Sequence, residues 1–129
     1  MQLLASNGIE GVTNNDVATP GLDLVPGTVK LLPAGDDLVL PHVGWNEVHW
    51  QPKGETLSKG LPEGGDFYFV HSYSFHVADP EDTLATSSYG TTFTSVVGRK
   101  GCFGMQFHPE KSQKLGRKLL ANFLCISQC

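Results

Sequence analysis

A histidine and a carboxylate lie two residues apart near the end of the chain, in the segment Gln106-Phe107-His108-Pro109-Glu110. The preceding stretch, residues 102–107, is apolar enough to form a buried strand, and Pro109 lacks the N–H that would let the strand continue. The spacing therefore predicts that His108 and Glu110 lie at the C-terminal end of a strand, the edge where open α/β sheets bind ligands. A glutamate that accepts a hydrogen bond from one imidazole nitrogen leaves the other nitrogen free to activate a nucleophile.

Three segments together resemble one enzyme family. His108-Pro109-Glu110 is similar to the last two members of the Cys-His-Glu triad of class I glutamine amidotransferases. Residues 41–46 (Pro-His-Val-Gly-Trp-Asn) and 68–73 (Tyr-Phe-Val-His-Ser-Tyr) come before it, and Lys111-Ser112 follows. Their order and spacing resemble those of the glutaminase subunit of imidazole glycerol phosphate synthase. The resemblance covers essentially the whole chain, but only the C-terminal portion of that family.

The resemblance implies catalytic and substrate-binding roles for five residues. His108 would be the catalytic base and Glu110 its orienter. Gln2 would help to hold the amino-acid end of a glutamine substrate, and the segment containing Ser72 and Tyr73 would contact the same group through its backbone. From the residues alone, Ser72 and Tyr73 read equally well as the edge of a sheet.

The same resemblance implies a protein partner. Trp45 and Asn46 would lie on the face that meets a cyclase subunit, near the passage for ammonia, and Lys111 would flank that face. Without the resemblance, Trp45 reads as a core aromatic residue and Asn46 as a polar residue of a turn. His71 lies in a buried strand and is expected to be structural.

The nucleophile of the family has no counterpart in the matched segments. Met1-Gln2-Leu3-Leu4 resembles the residues that follow the nucleophile in the family pattern Cys-Leu-Gly-Met-Gln, which would place the cysteine three residues before Met1. Cys102 is expected about 20 Å from His108 along the strand, and Cys125 about 20 Å along the terminal helix from Ser112. We therefore expect residues 1–129 to be a single truncated amidotransferase domain that does not hydrolyse glutamine alone.

The bulk properties limit the other classes of function. A net charge of -4 with nine Lys and Arg argues against nucleic-acid binding. No apolar run approaches the ~18 residues of a membrane span, and the N-terminus carries no secretion signal, so we expect a cytoplasmic protein. The three cysteines form no Cys-x-x-Cys motif and the five histidines form no tight ligand pair, so neither a metal nor another cofactor is expected.

The hydropathy pattern predicts a strand-rich α/β domain, and the resemblance implies that this domain is the C-terminal portion of a flavodoxin-like amidotransferase fold. We expect the stub of a helix at residues 1–5 and little regular structure at 7–23. The expected strands, largely antiparallel, comprise a hairpin of 28–32 and 38–42 around a turn at 33–37, then 45–50, 66–73, 84–89, 93–99 and 102–107.

One convincing helix follows these strands. It should begin after Ser112 as N-cap and turn an apolar face toward the sheet, formed by Leu115, Leu119, Leu120, Phe123 and Leu124. A sheet with a single helix leaves surface that further elements would cover, above all the edge beside residues 102–107. We therefore expect a homo-oligomer. The alternative to an enzyme is a non-catalytic module that binds itself or a partner through this surface.

Overall fold

The computed structural model describes residues 2–5, 8–11, 24–33 and 38–127 of the chain. Nine strands within these residues form one sheet, and every strand pair among them is antiparallel. The strands are β1 (Gln2–Ala5), β2 (Gly8–Gly11), β3 (Gly27–Leu31), β4 (His42–Trp50), β5 (Gly65–His71), β6 (Tyr73–Val77), β7 (Thr83–Tyr89), β8 (Thr91–Arg99) and β9 (Cys102–Met105).

The main path of the sheet runs β2-β1-β9-β8-β7-β4-β5, and β6 joins β8 while pairing with β3 on its other side. The strands follow the period-two alternation of their sequences. In β5, Phe67, Phe69 and His71 are buried whereas Asp66 and Val70 are exposed. The buried side chains of β4, β5, β7, β8 and β9 form one apolar core.

Two helices complete the described structure, α1 (Glu55–Ser58) and α2 (Gln113–Ser127). The long helix α2 buries Leu119 and Phe123 against the sheet and leaves its basic residues exposed. Asn122 of α2 donates hydrogen bonds to the carbonyls of Leu57 and Lys59, which ties the short α1 to α2. Neither helix in the described residues has the length and apolarity needed to cross a membrane.

The expected α/β class, rich in strands and closed by one C-terminal helix, is confirmed. The strands at 45–50, 84–89 and 93–99 are present, and each extends slightly beyond its predicted bounds. The strand expected at 66–73 ends at His71, and β6 begins at Tyr73. Ser72 therefore lies at a break between two strands.

The helix expected at residues 1–5 is wrong, because residues 2–5 form β1 and pair with both β2 and β9. A single helical turn carries the full cost of nucleation, whereas the neighbouring backbone of β9 offers hydrogen-bond partners. β2 likewise replaces the irregular structure expected at residues 8–11, and residues 12–23 lie outside the described structure.

The hairpin expected between residues 28–32 and 38–42 is also wrong. β3 pairs with β6 in a register that places Gly27 opposite Val77 and Leu31 opposite Tyr73, and residues 38–41 are not in a strand. Pro41 has no N–H to contribute to a ladder, which disfavours pairing at this point. The turn expected at 33–37 lies outside the described residues except for Pro33.

Two smaller expectations need correction. β9 is not an exposed edge, because β1 covers one side of it and β8 the other. Leu124 does not face the sheet and is 57% exposed.

Candidate active site

His108 and Glu110 meet where the chain leaves β9. After β9 ends at Met105, a 3₁₀ turn of residues Pro109–Lys111 reverses the chain. Nδ1 of His108 lies 2.9 Å from Oε1 of Glu110, and the two side chains are 23% and 55% exposed. Because a carboxylate only accepts hydrogen bonds, Nδ1 carries the hydrogen and Nε2 keeps its lone pair. No side chain of the described residues hydrogen-bonds Nε2, so this atom can take a proton from a nucleophile.

The His108 turn, residues 108–112, is fastened to β5 at one residue, Tyr68. The N–H of His108 donates to the Tyr68 carbonyl at 2.9 Å, and the N–H of Tyr68 donates to Oγ of Ser112 at 3.0 Å. Ser112 in turn donates to the His108 carbonyl at 2.7 Å and is buried. These three hydrogen bonds fix the backbone of His108 against β5.

Ser112 directly precedes α2 as predicted, and its carbonyl accepts the N–H of Gly116 at 3.3 Å, but its side chain does not cap the helix. Its hydroxyl is engaged by Tyr68 and His108, and Gln113 has a positive φ of 54° at the start of α2. The side chain closes the His108 turn instead of satisfying the first N–H groups of the helix. A serine in this position stabilises the His108 turn. The sequence pattern of the helix alone does not indicate this role.

The turn also packs directly on α2. A Cβ atom at Gly116 would lie 1.9 Å from the Pro109 carbonyl oxygen, so only glycine allows this approach. On the other side of the turn, the ring of Phe107 stacks on Phe67 with centroids 4.3 Å apart. Glycine on the helix and aromatic packing on the strand together hold the His108 turn between α2 and the sheet.

Comparison with known proteins assigns the sequence to a family. The family model of class I glutamine amidotransferases matches residues 34–126. The chain belongs to this family. The region that matches the amidotransferase model contains both His108 and Glu110.

Curated relatives make the likeness more specific. The amidotransferase chain is 50% identical over its whole length to imidazole glycerol phosphate synthase subunit HisH 1 of Prochlorococcus marinus, of which it covers 60%. It is 49% identical to subunit HisH of Azospirillum brasilense over 96% of its length, covering 62% of that protein. For subunit HisH of Rhodospirillum rubrum the corresponding values are 46%, 96% and 56%. The chain thus spans less than two thirds of the length of these relatives.

A solved structure shows the same fold. A candidate GMP synthase component from Thermoplasma acidophilum superimposes with a TM-score of 0.61 at 23% identity, and the match covers 79% of this amidotransferase chain and 49% of that chain. At this identity the likeness concerns the fold alone. It agrees with the amidotransferase fold expected from the sequence.

The residues expected to hold glutamine in the amidotransferase chain lie on two elements. Ser72 and Tyr73 form the break between β5 and β6, where the Ser72 carbonyl accepts the N–H of Leu32 at 2.9 Å. β1 places the backbone of Gln2 opposite Met105, on the strand that leads to His108. A substrate role for these three residues stays a prediction.

The residues expected to face a partner lie on β4 and in the His108 turn. Trp45 is 49% exposed and packs edge-on against the ring of Tyr68, with centroids 5.7 Å apart. Lys111 is exposed in the turn that Tyr68 fastens. Asn46 is held in place, because its Nδ2 donates to the Ser88 carbonyl at 2.7 Å and lies 3.3 Å from Nε2 of His42. The interface itself stays a prediction.

Sequence reasoning missed His42 altogether. Nδ1 of His42 lies 2.8 Å from Nε2 of His71, and both rings are buried. Burial lowers the pKa of both histidines and lowers that of His71 to about 4, an effect that the nearby His42 and His108 strengthen and the Tyr73 carbonyl opposes. The structural role expected for His71 stays a prediction, and the motif Pro41-His42 was the available signal for its partner.

Proposed function

We propose that this chain supplies the base and the orienting carboxylate of a glutaminase that delivers ammonia to the cyclase of imidazole glycerol phosphate synthase. The observation that carries the proposal is the 2.9 Å contact between Nδ1 of His108 and Glu110, which leaves Nε2 as the basic atom. Membership of the class I family and the relatives named HisH support it. Such a subunit would work in the cytoplasm.

In the proposed reaction, His108 accepts a proton and passes it on twice, once in each half of the reaction. Nε2 takes the proton of a cysteine thiol, and the thiolate attacks the amide carbon of glutamine. Protonated His108 then gives this proton to the departing nitrogen, which leaves as ammonia. Nε2 next takes a proton from water, the hydroxide attacks the thioester to release glutamate, and protonated His108 returns this proton to the departing thiolate. Glu110 holds the imidazole in the required tautomer throughout.

The thiol for this reaction has to come from outside the described residues. Cys102 begins β9, and the strand carries the chain about 10 Å away from it before the segment that leads to His108 starts. Cys125 lies in the last turns of α2, about 18 Å along the helix from Gln113. We therefore propose that the chain alone does not hydrolyse glutamine, because an imidazole without a nucleophile in reach forfeits covalent catalysis.

A fusion tests this proposal. The chain would be joined to the portion of the Prochlorococcus relative that it does not cover, and glutamate release would be measured for the chain, the fusion and the fusion with His108→Ala. We expect activity only in the unmodified fusion. Glutaminase activity of the chain alone that disappears with His108→Ala would contradict the proposal, as would a fusion whose activity does not depend on His108.

A second function is favoured by one surface. Val43 and Trp45 of β4 pair with Val70 and Tyr68 of β5, and the first three of these side chains are 55%, 49% and 40% exposed. This apolar face, with the exposed Lys111 beside it, is suited to bind another protein. In the proposed enzyme its occupant is the cyclase subunit. The alternative is a second copy of this chain.

Light scattering distinguishes these two occupants. The chain would be measured over a wide dilution range, first by itself and then with the cyclase subunit of the Prochlorococcus synthase. A complex with the cyclase that Trp45→Ser abolishes supports the first occupant, and a dimer that the same substitution dissociates supports the second. A chain that stays monomeric and binds no cyclase would remove both partners from the proposal.

A further inference from the structure

The break between β5 and β6 is held by a histidine on the strand before it. Nδ1 of His71 lies 2.8 Å from the carbonyl oxygen of Tyr73, across the single residue Ser72. Because a carbonyl oxygen can only accept, His71 must carry its hydrogen on Nδ1. Neutral histidine has one ring hydrogen, so Nε2 of His71 is left as an acceptor.

This assignment fixes the next ring as well. Nδ1 of His42 lies 2.8 Å from Nε2 of His71, and this contact requires one hydrogen between the two nitrogens. His42 therefore also carries its hydrogen on Nδ1, and its Nε2 is an acceptor. Nδ2 of Asn46, at 3.3 Å, is in position to donate to it.

Packing prevents either ring from adopting another arrangement. The His42 ring is stacked between Phe69 and Tyr89, with centroid distances of 5.0 Å and 4.1 Å. The exposures of His42 and His71 are 4% and 8%, so water cannot replace the bonds between them. A flipped ring would put a carbon where a bonded nitrogen stands, and a second proton on either ring would leave a buried donor facing another donor; both are costly.

We propose that His42 and His71 are positioning residues, which use one fixed tautomer each to hold the Ser72–Tyr73 backbone in place for the amino-acid end of glutamine. Their role in glutamine binding rests on the function proposed above. The chain of hydrogen bonds runs from Asn46 on β4, through His42 and His71, to Tyr73 on β6. It secures the backbone on one side of the break, and the bond from Leu32 to the Ser72 carbonyl secures the other.

Ring NMR tests the fixed tautomers without any ligand. In the ¹⁵N-labelled chain we expect the Nδ1–H form for both His42 and His71, although free neutral histidine favours the Nε2–H form. A coupling across the N–H···N bond should join the two rings. The exposed His49 is the internal control for the coupling between rings, because its ring nitrogens contact the carboxylates of Glu47 and Glu63 and not a second imidazole. An Nε2–H tautomer at either buried ring would overturn the proposal.

Amide hydrogen exchange tests the positioning. His71→Leu removes the donor to Tyr73, whereas His71→Asn keeps a donor at the place of Nδ1. We expect the Leu32 amide, which is bonded to Ser72, to exchange about tenfold faster in His71→Leu and close to the parent rate in His71→Asn, the change expected for loss of one hydrogen bond. Equal protection in both variants and the parent would overturn the proposal.

The fusion separates this inference from the proposed function. There we expect His71→Leu to raise KM for glutamine about tenfold with a smaller change in kcat, and His71→Asn to restore most of the affinity. A fall in kcat alone, with KM unchanged, would overturn the positioning role. If the fusion is inactive, the proposed function fails, while the tautomers and the exchange of Leu32 still decide whether the pair holds the break.

Discussion

The pair His108–Glu110 and the pair His42–His71 have opposite surroundings. His108 is bonded to the exposed carboxylate of Glu110 and is itself partly open to solvent. His42 and His71 are bonded to each other, and both rings are buried among aromatic side chains. The first arrangement leaves one nitrogen free for proton transfer. The second uses the ring nitrogens for hydrogen bonds inside the protein.

The difference shows that partner and burial decide what a histidine can do. A carboxylate partner stabilises the imidazolium that forms when a base takes a proton. A second neutral imidazole in an apolar enclosure does the reverse and keeps both rings uncharged at neutral pH. In the proposed enzyme, proton transfer and positioning would thereby be separated between two sites.

The largest expected effect concerns the exposed pair. In the fusion, His108→Ala should lower kcat by about 10³-fold or more, because nucleophile activation is lost. Glu110→Ala should cost less, since an imidazole without its orienter still samples the active tautomer. Glutamate release under saturating glutamine measures both. A Glu110→Ala variant as active as the parent would show that the carboxylate is only structural.

The next largest effect should disturb His108 and Glu110 and leave His42 and His71 unchanged. Gly116→Ala places a Cβ against the Pro109 carbonyl and should lower the free energy of unfolding by about 3 kcal/mol, at the upper end for overpacking. Urea unfolding measures this cost, with the exposed Lys114→Ala as matched control. The ring signals of His108 should move and those of His71 should stay. Retained parent stability would mean that the turn tolerates a displacement from α2.

Acid should lower the stability of the fold through the buried His71. The pKa of His71 is lowered to about 4 in the fold, so the unfolded chain binds more protons below its ordinary value of 6.5. Stability should therefore fall as pH drops through this window, by about 2 kcal/mol between pH 7 and pH 5. Urea midpoints at the two pH values measure the loss. His71→Asn, which has no titrating ring, should reduce this loss, and an unchanged loss would assign it to other groups.

The smallest expected effect concerns the fastening of the His108 turn. Ser112→Ala removes the acceptor of the Tyr68 N–H and the donor to the His108 carbonyl, which should cost about 1.5 kcal/mol of unfolding free energy. Ser58→Ala is the control, because its hydroxyl is exposed and makes only a 3.5 Å contact. If the two substitutions cost the same, the turn does not depend on its link to β5.

The sequence predicted the elements whose pattern is local. The alternation around Val48 and the Gly90 turn gave β4, β7 and β8 close to their observed bounds. The apolar stripe of Leu119 and Phe123 gave α2. The segment His108-Pro109-Glu110 predicted a contact that spans a single turn, and the structure contains it.

Contacts between distant segments escaped prediction. The pairing of β1 with β9 depends on which strand edge is open, and residues 1–5 do not encode that. The role of Ser112 depends on Tyr68, which is 44 residues away, and the bond of His42 to His71 spans 29 residues. From the local sequence alone Asn46 reads as a turn residue, because its hydrogen-bond partner Ser88 lies on another strand.

Tyr68 connects the candidate site to the solubility of the domain. β5 is the last strand on the main path of the described sheet, and such a strand can recruit another chain through its unpaired backbone. Both backbone groups of Tyr68, near the middle of β5, are already bonded to the His108 turn. The His108 turn therefore also blocks strand addition at this edge. Substitutions that loosen the turn should increase aggregation as well as weaken catalysis.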